Sequence, residues 1–153
     1  MGEATIRRAT AADLPAIVGL LADDVLGAQR EQPGDPAYAQ AFEAIVADPR
    51  QWLMVADRDG EVVGTLQLTV IPGLSHRGMT RALVEAVRVA ASQRDRGLGS
   101  QMLEWAVGTA RELGCGMVQL TSNASRADAH RFYERLGFEA SHTGFKLALH
   151  PPR

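Results

Sequence analysis

The feature that most constrains this chain is a glycine-punctuated turn near its middle, at residues 94–99. The turn reads Arg-Asp-Arg-Gly-Leu-Gly and follows an apolar, β-branched stretch at residues 81–90. Apolar residues recur at helical spacing directly after it, so the pattern predicts a strand, a tight turn and a long helix in that order. Such a turn directs several backbone N–H groups and a helix N-terminus at one point, beside arginine charge. We therefore expect an anion site suited to a pyrophosphate.

Two common phosphate-binding motifs do not fit this turn. A dinucleotide-binding fingerprint needs a third glycine at position 102, where the chain has Met102. A P-loop needs Gly-Lys-Ser/Thr, and the single lysine of the chain, Lys146, is far from any such loop. A nucleotide-binding domain of another fold is therefore disfavoured.

The remaining sequence alternates between strand and helix patterns, which predicts an α/β domain on one mixed sheet. Strands are predicted at residues 4–9, 51–57, 61–71, 81–90, 117–121, 138–141 and 145–149. Helices are predicted from residue 10 or 13 to residue 25, through 38–46, from 98 to 113, and at 127–136. Residues 27–36 and 72–78 are predicted loops, and Asp59-Gly60 is a strong hairpin signal.

Length and charge limit the class of protein. At 153 residues we expect one domain spanning residues 1–153, large enough for a single core. A net charge of −2 argues against a dedicated nucleic-acid binder. The single cysteine cannot form an internal disulfide, and no stretch resembles a signal peptide or a membrane span. A cytoplasmic protein with no membrane partner is expected.

Two motifs carry a resemblance to a known family. The pattern Arg94-x-x-Gly97-x-Gly99 resembles the acyl-CoA pyrophosphate loop of the GNAT superfamily of N-acetyltransferases. The segment 130–138, His-Arg-Phe-Tyr-Glu-Arg-Leu-Gly-Phe, is similar to that family's closing helix, where an aromatic pair precedes Leu-Gly-Phe. Both motifs occur in family order and spacing, and the resemblance spans about residues 6–149. It implies a mixed, mostly antiparallel sheet splayed between two strands and flanked by about four helices.

The resemblance also implies acetyl-CoA as co-substrate and a set of residues that bind it. The strand backbone at Val87 and Val89 would contact the pantetheine arm as an added strand does. The pyrophosphate would lie over the N–H groups of residues 95–100, where side chains at Gly97 and Gly99 would hold it away. The implied cofactor-binding residues are Val87, Arg88, Val89, Arg94, Asp95, Arg96, Gly97, Leu98, Gly99, Ser100, Asn123 and Phe132.

Two side chains are candidates for proton transfer. Transfer of an acetyl group to an amine requires a base for the amine, a polarised carbonyl and a proton for the departing thiolate. By its match to the family, Tyr133 is the candidate acid; alternatively it is a core aromatic residue of an amphipathic helix. Glu85 is the candidate base, acting directly or through water; alternatively it is a solvated residue on an exposed strand face.

The loop before the last helix departs from the commonest family pattern. The asparagine that usually stands seven residues before the tyrosine is replaced by Arg126. Either Asn123 contacts the pantetheine from further back, or Arg126 makes a different contact. As alternatives, Asn123 is a turn former and Arg126 a solvated residue at a helix start.

Other chemistry receives little support from the sequence. The four histidines have no metal-site spacing, so no metal is expected, and Cys115 is disfavoured as a nucleophile. The leading hypothesis is an acetyl-CoA-dependent N-acetyltransferase that acts by direct attack in a ternary complex. The alternative is a non-catalytic acyl-CoA-binding module of the same fold. The acceptor, a small-molecule or protein amine, is not identified; by resemblance, residues 27–36 and 142–144 would shape its site, and a homodimer is possible.

Overall fold

The computed structural model describes residues 3–150, which form a five-stranded sheet and six helices. The strands are β1 (Thr5–Arg8), β2 (Gln51–Arg58), β3 (Glu61–Ile71), β4 (Arg81–Val89) and β5 (Met117–Leu120). The helices are α1 (Leu14–Ala22), α2 (Val25–Arg30), α3 (Ala37–Ala47), α4 (Ser75–Gly78), α5 (Leu98–Glu112) and α6 (Ala127–Arg135). A short 3₁₀ turn at Ala11–Asp13 precedes α1, and another at Ala91–Gln93 precedes the turn that leads into α5.

The sheet has the strand order β1-β2-β3-β4-β5, and its first four strands pair antiparallel with their neighbours. The predicted hairpin between β2 and β3 is confirmed. Asp59 and Gly60 have φ angles of 54° and 86°, the left-handed pair that a two-residue hairpin turn requires. The predicted mixed, mostly antiparallel sheet is confirmed, with six helices where about four were expected.

One face of the sheet packs against α5. The side chains of Trp52 and Trp105 lie with ring centroids 6.4 Å apart, and Met102 occupies the space beside Gly64. Because strand residues alternate between faces, Leu66 and Leu68 lie on the same face as Gly64, and both are buried. Burial of each such leucine contributes about 1.5–3 kcal/mol to the stability of the fold, so the core on this face holds the sheet and α5 together.

A three-residue ion-pair network joins β1 to its neighbours. The Arg7 guanidinium donates to both carboxylate oxygens of Asp13, at 2.8 and 3.0 Å, and its Nε donates to Asp57 at 3.0 Å. The Asp13 carboxylate also accepts from the Thr10 backbone N–H at 2.7 Å. The hydrogen bonds from Arg7 lower the pKa of Asp13 from 3.8 to about 2.

Residues 27–36, predicted as loop, contain part of a helix. Helix α2 begins after Asp24, whose carboxylate accepts the Gly27 backbone N–H as a cap. Gly27 is buried, and a Cβ there would lie 1.9 Å from the Leu21 carbonyl oxygen. The glycine therefore permits close approach of α1 and α2, whereas the sequence pattern suggested a turn.

The two strands predicted at residues 138–141 and 145–149 are not formed. The Phe138 N–H donates to the Tyr133 carbonyl, and Ser141 donates to Glu139, so these backbone groups bond locally. The alternating Phe145, Leu147 and Leu149 read as a strand, yet they are 93%, 85% and 83% exposed. A strand requires a neighbour to pair with, and none of the described residues provides one.

The chain divides into two compact units, one ending at Gln119 and the other beginning at Leu120. The first unit contains the antiparallel strands and α1 to α5, and the second contains α6. A single domain spanning residues 1–153 stays a prediction. No helix within residues 3–150 is both long and apolar enough to span a bilayer.

Candidate functional site

Strand β4 carries a bulge near its middle. The register with β3 shifts between Thr65 and Gln67, so that Ala86 and Val87 together face a single residue. Ala86 has a φ of 54°, a left-handed conformation that is uncommon for alanine. A bulge disrupts the ladder locally and bends the strand. Backbone groups around Val87, a predicted pantetheine contact, thus lie at the irregular point of the sheet.

Glu85 is the residue immediately before the bulge. Ala82 and Val84 are buried, whereas Glu85 is exposed. The alternation of faces explains this glutamate within an apolar run, because residues 81, 83 and 85 lie on the face opposite to residues 82 and 84. In register, Glu85 is directly across from Gln67 of β3. Its carboxylate is therefore accessible at the bulge.

The turn between β4 and α5 is held by a buried glutamine that the sequence analysis missed. Gln93, in the 3₁₀ turn, is buried, and its side-chain oxygen accepts a hydrogen bond from the Arg58 guanidinium. The Gln93 amide nitrogen donates to Ser92 at 3.4 Å. These contacts tie the start of the turn to the end of β2.

The turn itself adopts a left-handed geometry at two positions. Asp95 has a φ of 64° and Gly97 a φ of 80°. Left-handed residues within a turn create a concave arrangement of backbone N–H groups that favours anions. A Cβ placed on Gly97 would meet no atom within 4 Å, so the glycine is required by its φ, and the space beside it is open.

The backbone N–H groups of this turn are available to a ligand. In the described structure, the N–H groups of residues 95–97 have no acceptor in backbone or side chains. The first bond of α5 runs from Gln101 to the Gly97 carbonyl at 3.1 Å, which leaves the N–H groups of Leu98, Gly99 and Ser100 without helical partners. No side chain caps this helix. Six consecutive donors thus precede or begin a 15-residue helix.

Arginine charge surrounds these donors. Arg94 and Arg96 are exposed on the turn, and the Arg94 Nε donates to the Val89 carbonyl at 3.4 Å. Arg94 also lies 3.9 Å from the Asp23 carboxylate, and Arg88 pairs with Asp24 at 3.4 Å. Both ion pairs connect this end of β4 to the junction between α1 and α2.

The second unit contains the candidate acid. Tyr133 lies on α6, half-buried, with ring contacts to Phe132 at 5.2 Å and to Phe138 at 6.0 Å between centroids. Both contacts are edge-to-face, the preferred aromatic geometry. The two phenylalanines restrict the orientation of the tyrosine ring within this unit.

Asn123 forms a turn before α6. Its side-chain oxygen accepts from the Ser125 N–H at 3.0 Å and from the Ser125 hydroxyl at 2.7 Å. Its backbone carbonyl accepts from Arg126 at 2.9 Å and contacts His130 Nε2 at 3.0 Å. The turn-forming role weighed for Asn123 is thus present, while Arg126 is exposed at the helix start. Contact of either residue with a pantetheine arm stays a prediction.

The remaining reactive side chains are dispersed. Burial raises the pKa of the Cys115 thiol, which lowers its thiolate fraction at neutral pH. Among residues 3–150, no group of three or more histidine, cysteine, aspartate or glutamate side chains could hold a metal ion.

A polar row on the sheet also escaped the sequence analysis. The Gln51 side-chain oxygen accepts from Gln67 Nε2 at 2.8 Å and from the Thr69 hydroxyl at 2.9 Å. We call Gln51, Gln67 and Thr69 the amide row. Their spacing of two along β3 was a usable signal, since polar residues there must share one face of the strand.

A family model described as the acetyltransferase (GNAT) family matches residues 18–138. The chain is 35% identical over 144 residues to aminoalkylphosphonate N-acetyltransferase of Salmonella typhimurium, covering 94% of this chain and 90% of that protein. It is 32% identical over 142 residues to L-methionine sulfoximine/L-methionine sulfone acetyltransferase of Pseudomonas paraeruginosa, covering 90% and 81%.

A crystal structure of a protein from Bacillus halodurans, described as a transcriptional regulator, superimposes with a TM-score of 0.92. That protein is 46% identical in sequence, and the match covers 95% of this chain and 99% of the other. The arrangement of strands and helices described above is therefore shared with an experimentally determined structure.

Proposed function

Since this chain belongs to the GNAT family of acetyltransferases, and its relatives are named as acetyltransferases, we propose that it transfers the acetyl group of acetyl-CoA to the amine of a small molecule by direct attack in a ternary complex. The family uses acetyl-CoA. The observation that carries the proposal is the run of available N–H groups at residues 95–100, beside Arg94 and Arg96.

Coenzyme A fits the chemistry of this turn. A diphosphate offers several anionic oxygens, and the turn offers six backbone donors, a helix N-terminus and arginine charge. The open space beside Gly97 leaves room for a phosphate against the backbone. In this proposal Val87 and Val89 bind the pantetheine arm through their backbone, and Asn123 and Phe132 contact it through their side chains.

Glu85 is the proposed base. An alkyl ammonium group has a pKa of about 10.4, so at neutral pH it must lose a proton before its nitrogen can attack. The exposed Glu85 carboxylate beside the bulge takes that proton, directly or through water. The bond from nitrogen to the acetyl carbon forms as the carbon–sulfur bond breaks, and a backbone N–H at the bulge stabilises the carbonyl oxygen.

Tyr133 is the proposed acid, which supplies a proton to the departing thiolate. Its hydroxyl proton goes to sulfur. The acylated nitrogen releases its excess proton to solvent, and solvent returns a proton to the tyrosine, so that the reaction yields an N-acetylated amine and a free thiol. The edge-to-face contacts with Phe132 and Phe138 support this role, because they restrict the ring that carries the hydroxyl.

The relatives indicate an acceptor class. One relative is named for aminoalkylphosphonates and another for methionine sulfoximine and sulfone. Both names describe small amines with a tetrahedral phosphorus or sulfur centre that carries oxygen. We propose an acceptor of this kind, a primary amine a few atoms from such a group.

A non-catalytic acyl-CoA-binding module is the second candidate, favoured by the description of the Bacillus halodurans protein as a regulator. Thiol release from acetyl-CoA, measured with 2-aminoethylphosphonate, L-methionine sulfone and propylamine, separates the two. Acetylation of any of these amines, verified by mass spectrometry, supports the transferase. Tight coenzyme A binding without turnover of any amine would favour the binding module instead.

A further inference from the structure

We propose that the amide row binds the oxygen-bearing group of the acceptor and thereby selects it, with Gln67 making the contact. This inference rests on the proposed function, because it assigns the part of the first unit that recognises the acceptor. It adds residues that lie outside both family motifs, on β2 and β3 rather than on the coenzyme A turn.

The row lies on the same face of the sheet as the candidate base. Gln67 is directly across from Glu85 in the β3–β4 register, and Gln51 is directly across from Thr69 in the β2–β3 register. Directly opposed residues have Cβ atoms about 4.5–5.5 Å apart and point to the same side. An amine held at Glu85 therefore places a group two or three bonds away over Gln67.

This face is not the one that packs against α5. Met102 of α5 contacts the sheet at Gly64. Because side chains alternate between faces along β3, Gln67 and Thr69 lie on the face opposite to Gly64. The three residues of the row are half-buried and Glu85 is exposed. Gln51 also lines a cavity of about 110 Å³ between β2 and α3, so the helix above this end of the row leaves space. Gln67 and Glu85 thus keep accessible surface that a small ligand can contact.

Hydrogen bonding within the row leaves three amide N–H donors for a ligand, alongside the side-chain oxygens of Gln67 and Thr69 as acceptors. The Gln51 oxygen already accepts two hydrogen bonds, from Gln67 and Thr69, so both its lone pairs are used. The Gln51 amide keeps two N–H donors and the Gln67 amide keeps one. Partly buried donors without acceptors favour a ligand that brings oxygen atoms, such as a phosphonate or a sulfone. Gln51 and Thr69 are positioning residues, since they fix the orientation of Gln67.

The test compares two acceptors and two leucine variants. 2-Aminoethylphosphonate carries the oxygen-bearing group, and propylamine has a similar length without it. In Gln67→Leu, we expect the KM for 2-aminoethylphosphonate to rise about 10- to 100-fold, the effect of losing a hydrogen bond to a charged group. The kcat/KM for propylamine and the KM for acetyl-CoA stay within about threefold, the scatter of ordinary surface substitutions. Gln40→Leu, an exposed glutamine on α3, is the matched control and leaves every constant within that same range.

Gln67→Glu should reverse the acceptor selectivity, which would not happen if Gln67 had a purely structural role. The carboxylate repels the phosphonate and attracts a second ammonium group, so selectivity shifts from 2-aminoethylphosphonate toward 1,3-diaminopropane. Thr69→Val keeps the shape but removes one donor to Gln51. We expect about a threefold rise in KM for 2-aminoethylphosphonate alone, at the low end of the usual effect of losing a neutral hydrogen bond.

The outcomes separate this inference from the proposed function. If Gln67→Leu lowers kcat/KM equally for both acceptors, or changes neither, the row does not read the acceptor and the inference is wrong. If the wild-type enzyme acetylates propylamine but shows no preference for 2-aminoethylphosphonate, the inference also fails while the transferase stands. Absence of turnover with every amine would overturn the transferase, and this inference with it.

Discussion

Glu85 and Gln67 show how strand register decides what a polar residue can do. The two side chains are directly opposed on β4 and β3, on the face that α5 does not cover. At Ala86, the next residue of β4, the backbone adopts a left-handed conformation. The regular alternation of side chains between the two faces of the sheet ends there. A carboxylate one position later would therefore lose its amide neighbour, so the location of the bulge determines that the proposed base, Glu85, faces Gln67.

Replacement of Glu85 by glutamine should remove a proton acceptor while leaving the shape of the site. We expect kcat to fall about 100-fold or more at neutral pH, the usual contribution of a general base. Part of the loss should be recovered as the pH rises toward the amine pKa of about 10.4, because more amine is then already neutral. Glu61→Gln, an exposed glutamate at the start of β3, is the control. An unchanged pH–rate profile in Glu85→Gln would exclude the base role.

Replacement of Tyr133 by phenylalanine tests the proposed acid. The ring contacts with Phe132 and Phe138 need no hydroxyl, so the substitution keeps the aromatic cluster. We expect kcat to fall about 100-fold, the lower end of the range for general acid catalysis, with the dissociation constant for coenzyme A unchanged. Tyr38→Phe is the matched control, because its hydroxyl bonds Glu31 and the Gln32 N–H on another segment. Equal rates for Tyr133→Phe and wild type would assign Tyr133 to packing alone.

At the scale of elements, the turn before α5 offers a matched pair of glycines. Gly97 has a φ of 80°, whereas Gly108 has ordinary helical geometry within α5, and a Cβ at either position would meet nothing within 4 Å. Gly97→Ala should cost about 1 kcal/mol in unfolding free energy, from the left-handed strain, and should weaken coenzyme A binding. Gly108→Ala should add about 0.5–1 kcal/mol of stability and leave that binding unchanged.

Denaturant unfolding and calorimetric titration of the two variants give the required measurements. Loss of stability in Gly97→Ala without loss of affinity would mean that the diphosphate does not approach the backbone there. Equal losses of affinity in both variants would mean that the effect comes from α5 as a whole.

The network of Arg7, Asp13 and Asp57 joins β1 to the start of α1 and predicts a pH dependence. The folded protein lowers the pKa of Asp13 from 3.8 to about 2. The stabilisation is therefore complete above about pH 5 and is lost as the pH falls through the folded pKa of about 2. Asp13→Asn should destabilise the protein by about 1–2 kcal/mol at pH 7, since Arg7 is partly exposed to solvent. The difference from wild type should shrink as the pH falls through about 2 and vanish about one pH unit below it; a difference that persists there would exclude this origin.

Elements were predictable from the sequence where local pattern and packing agree. The glycine turn, the Asp59-Gly60 hairpin and the helix from Leu98 follow from backbone requirements that few residues satisfy. Helix α2 was missed because Gly27 suggested a turn, although it permits contact with Leu21. The last two strands were wrongly predicted because alternation cannot show whether a pairing neighbour exists.

The candidate site was also predictable only in part, where its residues are contiguous in sequence. The turn at residues 94–99 was found because its motif is contiguous in sequence. The amide row was missed because Gln51 and Gln67 are brought together by the register of two strands. Gln93 was missed for a similar reason, since its partner Arg58 is 35 residues away along the chain.

At the scale of the whole molecule, net charge and local charge act in opposite directions. The chain carries a net charge of −2, which repels an anionic coenzyme at long range. The proposed binding of coenzyme A therefore depends on short-range contacts at the turn before α5, where N–H donors and arginines are concentrated. In this proposal such contacts recognise the charged diphosphate, whereas the pantetheine arm carries no comparable charge.

Coenzyme A and pantetheine consequently should affect the whole molecule differently. A ligand at 100 times its dissociation constant stabilises the folded state by about 2.7 kcal/mol, which raises Tm by about 5–10 °C for a chain of this size. We expect this shift with coenzyme A in thermal unfolding, a smaller shift as salt rises from low to about 0.5 M, and almost none with pantetheine at equal concentration. An equal shift with pantetheine would show that the arm alone drives binding and that the turn is not a diphosphate site.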